Sequence, residues 1–454
     1  MSAERKFQEL SETIIAEMKR LKVPGAALAI YHAGQEFSAG FGKTSIEHPL
    51  RVTPDTLFQV GSISKTFTGT LLMRLVEEGR LDLDVPVSRI LPKFEMSDPD
   101  VQKRLTTRHL LTHTGGWIGD YFDDFGNGDD ALQKMVRKIG KLPQVTPLGQ
   151  AWSYNNAGFN IAGRVVEVLT GKPYEQAAQE MLLDPLGLKM TFFYPDDVLI
   201  THRFASGHQK IGKKVQVARP WAIGRAGNCV GGVVSTVRDL LTYARFQMGD
   251  GSNQKGEPLM KRETLAAMRA GQVDAGGRGK MGLTWFIRQA GALKIFGHGG
   301  ATHGQQAVLH FIPHENFALA LLTNSDEGGI ITDSVLKWAL EIYFETAIPA
   351  PVPGRKTEVE LAEFSGHYEL PLSSFDLFVR DGYLVRKDFP RGGFPTPASP
   401  PGPAEPDVRL AFYDTDRVVG LDEPRQGGLC EFLRDADGEV SLMRIGGRLH
   451  PKTG

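Results

Sequence analysis

Three prolines within five residues, Pro349, Pro351 and Pro353, divide this chain into two stretches of different character. Each proline fixes its own φ, removes a backbone donor and biases the preceding residue away from helix, so the segment reads as a stiff extended connector. Helical and extended patterns mix before it, and only extended pieces follow it. The expected organisation is therefore residues 1–347 as one unit, 348–356 as a linker and 357–454 as a second unit. A chain of 454 residues is long enough to bury a core in each.

In the first unit, Phe7, Leu10, Ile14, Met18 and Leu21 recur at spacings of three and four, which predicts an amphipathic helix ended by Pro24 and Gly25. Residues 26–32 and 36–41, separated by Ala33-Gly34, read as a hairpin. A buried helix is expected from Phe67 to Gly79, and residues 80–210 look largely helical, with Ile161, Val165, Val166 and Leu169 sharing one face. Four extended stretches, 282–288, 293–297, 305–312 and 317–323, suggest an antiparallel meander, and a last helix spans 330–344. This is an α+β domain.

The second unit carries strand-like pieces at 375–379, 383–386, 409–413, 430–434 and 440–445, a small all-β module. Seven prolines between Pro390 and Pro406 interrupt it and predict a long extended loop whose only aromatic is Phe394.

Charge narrows the function classes. Lys plus Arg number 52 against 53 Asp plus Glu, so the global attraction expected of a nucleic-acid or acidic-membrane binder is missing. No apolar run approaches the roughly 18 residues of a membrane span, and the charged start of the chain does not read as a secretory segment. The expected location is cytoplasmic. The two cysteines, Cys229 and Cys430, have no metal-ligand spacing around them and read as buried small hydrophobes.

Chemistry concentrates in three places. Gly61-Ser62-Ile63-Ser64-Lys65 precedes the buried helix directly, so Ser62 and Lys65 can meet on one face. A serine hydroxyl needs a proton acceptor, and a desolvated lysine can serve near neutral pH. The bland reading is a helix cap with a surface lysine, the reading that suits Ser334 and Lys337 at the same spacing. Next comes Ser153-Tyr154-Asn155-Asn156: a tyrosine near a lysine can relay a proton, and Asn156 can bind a polar edge of a substrate. A buried tyrosine beside a helix cap is the alternative. Last, Phe296-Gly297-His298-Gly299-Gly300-Ala301 closes a predicted strand, where glycines allow close backbone approach and a main-chain amide could serve an oxyanion hole.

In this order, Ser-x-x-Lys, Tyr-x-Asn and a glycine-rich third element resemble the serine β-lactamase and penicillin-binding-protein superfamily. Residues 109–116, 154–171 and 231–239 look like that family as well, and the resemblance covers about residues 7–345. It implies a β-lactamase/transpeptidase-like domain, an antiparallel sheet flanked by helices with a helical subdomain, followed here by a small antiparallel β-barrel-like module of lipocalin type. It also implies a Ser62 acyl-enzyme, with Lys65 and Tyr154 exchanging protons and Asn156 holding the substrate. The amides of Ser62 and Ala301 would form the oxyanion hole. Which of Lys65 and Tyr154 is the base stays open.

Where the family carries Lys-Thr-Gly, this chain has His298-Gly299-Gly300, without the cation and hydroxyl that would grip a carboxylate. This resembles the D-aminopeptidase and family VIII carboxylesterase branches. The expectation is a cofactor-free serine hydrolase acting on small esters or short peptide amides, with homo-oligomerisation left open. The alternatives are a catalytically weak penicillin-binding or assembly protein of the same fold, a β-lactamase, or a ligand carrier built on the β module. In the D-aminopeptidase branch a loop from the β part covers the site, which suggests that the proline-rich arm roofs Ser62.

Two patterns are set aside. His109 and His113 have the spacing of a zinc helix, but Leu110 stands where a metalloprotease needs glutamate, so no metal is expected. Lys452-Thr453-Gly454 matches the third motif by letters alone and lies beyond the β module.

Overall fold

The computed structural model describes every residue except Pro395, Pro397, Pro403 and Gly454. The chain builds two eight-stranded antiparallel sheets, one in each stretch flanking the proline connector. In the first, the strands lie in the order Gln35–Gly42, Gly25–His32, Phe317–Thr323, Gln305–Ile312, Leu293–Thr302, Phe286–Ala290, Lys280–Met281 and Val273–Asp274.

The uninterrupted apolar run of the Phe317–Thr323 strand is explained by its place in the middle of two layers. Because successive side chains point to opposite faces, Phe317, Leu319 and Leu321 pack against the Ala3–Leu21 and Gly328–Phe344 helices. Ala318, Ala320 and Leu322 face the larger helical region on the other side. That region holds the Ser64–Glu77 and Asn156–Thr170 helices, whose apolar residues share one continuous core.

Two expectations need correction. The stretch expected at 282–288 is instead two short strands, Lys280–Met281 and Phe286–Ala290. The glycine-rich segment expected as a strand end continues as strand to Thr302, held by hairpin pairing from Phe296 with Phe311 to Thr302 with Gln305. Cross-strand hydrogen bonding outweighs the low strand propensity of the glycines.

The second sheet is a meander of eight strands from Gly366–Leu370 to Arg448–Pro451, each paired with the next in sequence. Its ends nearly close: Tyr368 bridges Lys452, and Thr453 donates to the His367 carbonyl at 2.8 Å. Lys452 and Thr453 thus join the barrel seam, and Gly454 lies outside the described residues. Phe364, Tyr368, Phe375, Phe412 and Phe432 fill the interior. A packed interior weighs against the ligand-carrier reading. Both cysteines are buried and free. Among the described residues no helix is long and apolar enough to cross a membrane.

One hairpin tip of the second sheet docks beside the helical region of the first stretch. Strands Val440–Ile445 and Arg448–Pro451 are joined by Gly446 and Gly447, both at positive φ, the two-residue turn that glycine permits. This tip sits on residues 152–154: Tyr154 N donates to Gly447 O at 2.8 Å, Leu449 N to Ser153 Oγ at 3.2 Å, and Arg444 Nε to Trp152 O at 3.1 Å.

Candidate active site

Ser62 sits in a 3-10 turn, Gly61–Ile63, that runs directly into the Ser64–Glu77 helix. The turn is pressed against the Leu293–Thr302 strand. A Cβ on Gly61, whose φ is +53°, would stand 2.6 Å from Ala301 N, and one on Gly300 would stand 1.9 Å from Val60 O. Glycine is required at both places by backbone proximity, and at Gly61 by conformation too. The neighbouring Phe286–Ala290 strand pairs only as far as Gly297, so beyond it this edge faces a cavity. Hairpin alternation turns the Ala301 amide to that free edge, beside the amide of Ser62.

Lys65 is fully buried, and its Nζ lies 2.9 Å from Ser62 Oγ and 2.9 Å from the Val230 carbonyl. It also stands over the Tyr154 ring, 5.1 Å from the centroid, and over that of Phe159 at 5.7 Å. Burial pushes its pKa well below the ordinary lysine value; Arg448 adds to this, and Asp120 and Cys229 oppose it. Burial acts the other way on Tyr154, pushing it up to about 12 against the pull of the Ser62 hydroxyl and Arg448. Its hydroxyl is buried beside Ser62 without a hydrogen bond of ordinary length. A buried amine driven toward neutrality and a phenol held protonated thus flank one serine.

Asn155 caps the Asn156–Thr170 helix by accepting from Gly158 N, which leaves Asn156 facing the cavity. Its Nδ2 donates to Asp120 Oδ1 at 2.6 Å. Burial disfavours the Asp120 carboxylate, but Arg448 and Asn156 more than offset this and hold its pKa below the usual range. His298 Nδ1 lies 2.6 Å from the Gly299 carbonyl and so carries the proton, leaving Nε2 buried without a partner. Burial, with Lys65 nearby, pushes its pKa down to about 3, so the ring is neutral. Its centroid lies 6.1 Å from that of Tyr154.

Ser62, Tyr154, Asn156 and His298 through Ala301 all border one cavity of 790 Å³, and Lys65 reaches Ser62 from beneath it. Several residues in and around this cavity were not legible as part of it. His113 of the discarded zinc spacing stacks on Tyr154 at 4.4 Å, with Nδ1 accepting from Asn155 N at 2.9 Å, whereas His109 takes part in the capping box of Thr106. The cation missing from the third motif has counterparts from elsewhere: Arg448 from the barrel hairpin, whose guanidinium lies 5.2 Å from the Tyr154 ring centroid, and Arg278. The Gly446-Gly447 pair signals a hairpin, but nothing local says where its tip goes. Phe394 of the proline-rich arm packs edge-on against Phe122 at 5.0 Å on the cavity rim.

The family model described as Beta-lactamase matches residues 10–333. The chain belongs to the beta-lactamase family. Within it, the chain is 33% identical over 360 residues to penicillin-binding protein 4 of Amycolatopsis lactamdurans, covering 76% of this chain and 93% of that one. The crystal structure of SurE is similar over 99% of both chains, with 25% identity and a TM-score of 0.78, so the likeness includes the barrel. A second SurE structure, with D-Leu, gives a TM-score of 0.74. A D-amino acid amidase from Ochrobactrum anthropi shares the fold over 73% of this chain and 98% of its own, at 22% identity and a TM-score of 0.61.

Proposed function

We propose that this beta-lactamase family member is a serine hydrolase that cleaves small ester or amide substrates through a Ser62 acyl-enzyme. The observation that carries this reading is the buried Lys65 amine 2.9 Å from Ser62 Oγ, hydrogen-bonded to a carbonyl rather than to an acid. A lysine so desolvated can accept the serine proton near neutral pH. The phenol of Tyr154, held protonated by burial, is suited to pass a proton to the leaving group.

In this scheme Ser62 Oγ bonds to the substrate carbonyl carbon as its proton moves to Lys65 Nζ. The developing oxyanion lies between the Ser62 and Ala301 amides. Collapse breaks the bond to the leaving oxygen or nitrogen, which takes a proton through Tyr154 from Lys65. Water then attacks the acyl carbon with the same groups acting in reverse, releasing the acid and restoring Ser62. Asn156, with Nδ2 engaged by Asp120, offers its carbonyl oxygen to a substrate N–H. His298 presents an unpartnered acceptor at the opposite wall. The D-Leu of the SurE complex and the amidase chemistry of the O. anthropi protein favour amino-acid-derived substrates.

Intact-mass measurement after exposure to p-nitrophenyl esters, D- and L-amino-acid amides and a penicillin tests the reading. A covalent adduct on Ser62 followed by turnover supports it. A stable adduct with the penicillin alone would instead favour a penicillin-binding role.

A further inference from the structure

His113, half of the zinc spacing set aside above, occupies a place where helix geometry favours glycine. The Thr107–Leu111 helix ends in two bonds, from His113 N to Leu110 O at 3.4 Å and from Thr114 N to His109 O at 3.0 Å. This pairing puts the residue after the cap in the left-handed region, where glycine is the usual occupant. His113 takes that conformation with a φ of +57°. A residue with a Cβ is disfavoured there, and backbone held in such a region points to a use for the side chain.

The use is visible at Tyr154. His113 O accepts from Ser153 N at 3.0 Å, and His113 Nδ1 accepts from Asn155 N at 2.9 Å. One residue thus holds the amides on both sides of Tyr154. Its ring also stacks on the Tyr154 ring, with 4.4 Å between centroids and 29° between planes. Phe159 and Trp152 close around the imidazole at 5.1 Å and 6.1 Å. Because Nδ1 accepts a backbone N–H, the ring is the neutral tautomer with its proton on Nε2. Burial, with Lys65 and His298 nearby, keeps it neutral by holding its pKa well below the ordinary histidine value. His113 stands buried behind Tyr154 rather than on the wall of the Ser62 cavity, so any effect on the reaction passes through the phenol.

We propose that His113 is a positioning residue, whose ring and carbonyl hold the Tyr154 hydroxyl where it can pass a proton to the group leaving the acyl carbon at Ser62. The proposal rests on the serine-hydrolase reading above and adds a residue that acts at one remove from the reacting atoms. A misplaced phenol matters most where the leaving group needs that proton. An alkoxide needs it, whereas p-nitrophenolate departs without it.

The test compares kcat/KM for ethyl butyrate and p-nitrophenyl butyrate, which share one acyl group, in the wild type, His113→Asn and His113→Gly. Asparagine tolerates the left-handed backbone and offers an amide oxygen to Asn155 N without a ring, and glycine keeps the backbone alone. On ethyl butyrate His113→Gly should lose at least about tenfold, within the scale of a small misplacement of a catalytic group. His113→Asn should lose less, and it carries the same comparison if the glycine variant does not fold. Both losses should be clearly smaller on the p-nitrophenyl ester. In a Tyr154→Phe background neither substitution should lower ethyl ester turnover further. Wild-type rates in the variants, equal losses on the two esters, or undiminished losses in the Tyr154→Phe background would each overturn the positioning role while leaving the hydrolase reading intact. If no ester or amide acylates Ser62 the hydrolase reading fails, and crystal structures of the wild type and the His113 variants then decide the positioning. A Tyr154 ring shifted away from Ser62 in the variants supports it, and an unmoved ring overturns it.

Discussion

Arg448, at the tip of a barrel hairpin, is paired with Asp120 in the loop beside Ser62: Nη2 lies 3.1 Å from Oδ1, and Nε contacts Oδ2, across 328 residues of sequence. Both groups act on Lys65, the cation lowering its pKa and the carboxylate raising it. The barrel thereby tunes the amine that would activate the serine.

That coupling predicts opposite pH shifts. With Lys65 as base, activity falls on the acid side as the amine takes a proton. Arg448→Gln removes a repelling cation, so the ammonium form gains and the acid limb of kcat/KM moves to higher pH. Asp120→Asn removes the favouring carboxylate and moves it to lower pH. Two shifts in the same direction would separate Lys65 from the limb.

Ser62→Ala should abolish turnover and leave the fold intact, as read by far-UV circular dichroism and Tm. Ser64 cannot replace it, because its Oγ is occupied by the Gly61 carbonyl at 2.7 Å and the Val233 amide at 3.0 Å. Near wild-type rates in Ser62→Ala would end the acyl-enzyme scheme.

Lys65→Ala and Tyr154→Phe should each lower kcat by at least about a hundredfold, the scale of general acid-base catalysis. Because both groups meet the same hydroxyl, the double variant should lose far less than the product of the two losses. Multiplicative losses would indicate independent roles.

Lys65→Met should be inactive but more stable than the wild type at neutral pH, with a Tm at least about 2 °C higher. The folded-state pKa of Lys65 is depressed, so between it and the ordinary value near 10.5 the unfolded chain holds a proton that the folded chain lacks. Wild-type stability therefore rises with pH across that window. The advantage of Lys65→Met should shrink as pH approaches the upper end, which thermal melts across pH can follow.

Phe394→Ala should open the rim where Phe394 meets Phe122. Losing one apolar contact of roughly 1 kcal/mol corresponds to about fivefold in affinity. KM for short acyl esters should rise by about that factor while long-chain esters gain relative to short ones. Unchanged chain-length preference would place the proline-rich arm outside substrate selection.

The local parts of this protein are legible from the amino-acid sequence alone because their signals lie within a turn or two of chain. The Leu10, Ile14 and Met18 stripe, the Ala33-Gly34 hairpin and the Ser62–Lys65 spacing are set by periodicity and by residues that tolerate particular backbone angles. Motif order also singled out Ser62, Lys65, Tyr154, Asn156 and the His298–Ala301 segment, which the fold brings together. Tertiary structure decided what surrounds them. That Arg448 meets Asp120 and that His113 stacks on Tyr154 both depend on the docking of surfaces far apart in sequence. No period or turn rule encodes such docking, since burial and shape complementarity are properties of the assembled layers. The charge of the cavity, and with it the substrate it can hold, is therefore set by packing rather than by the motifs.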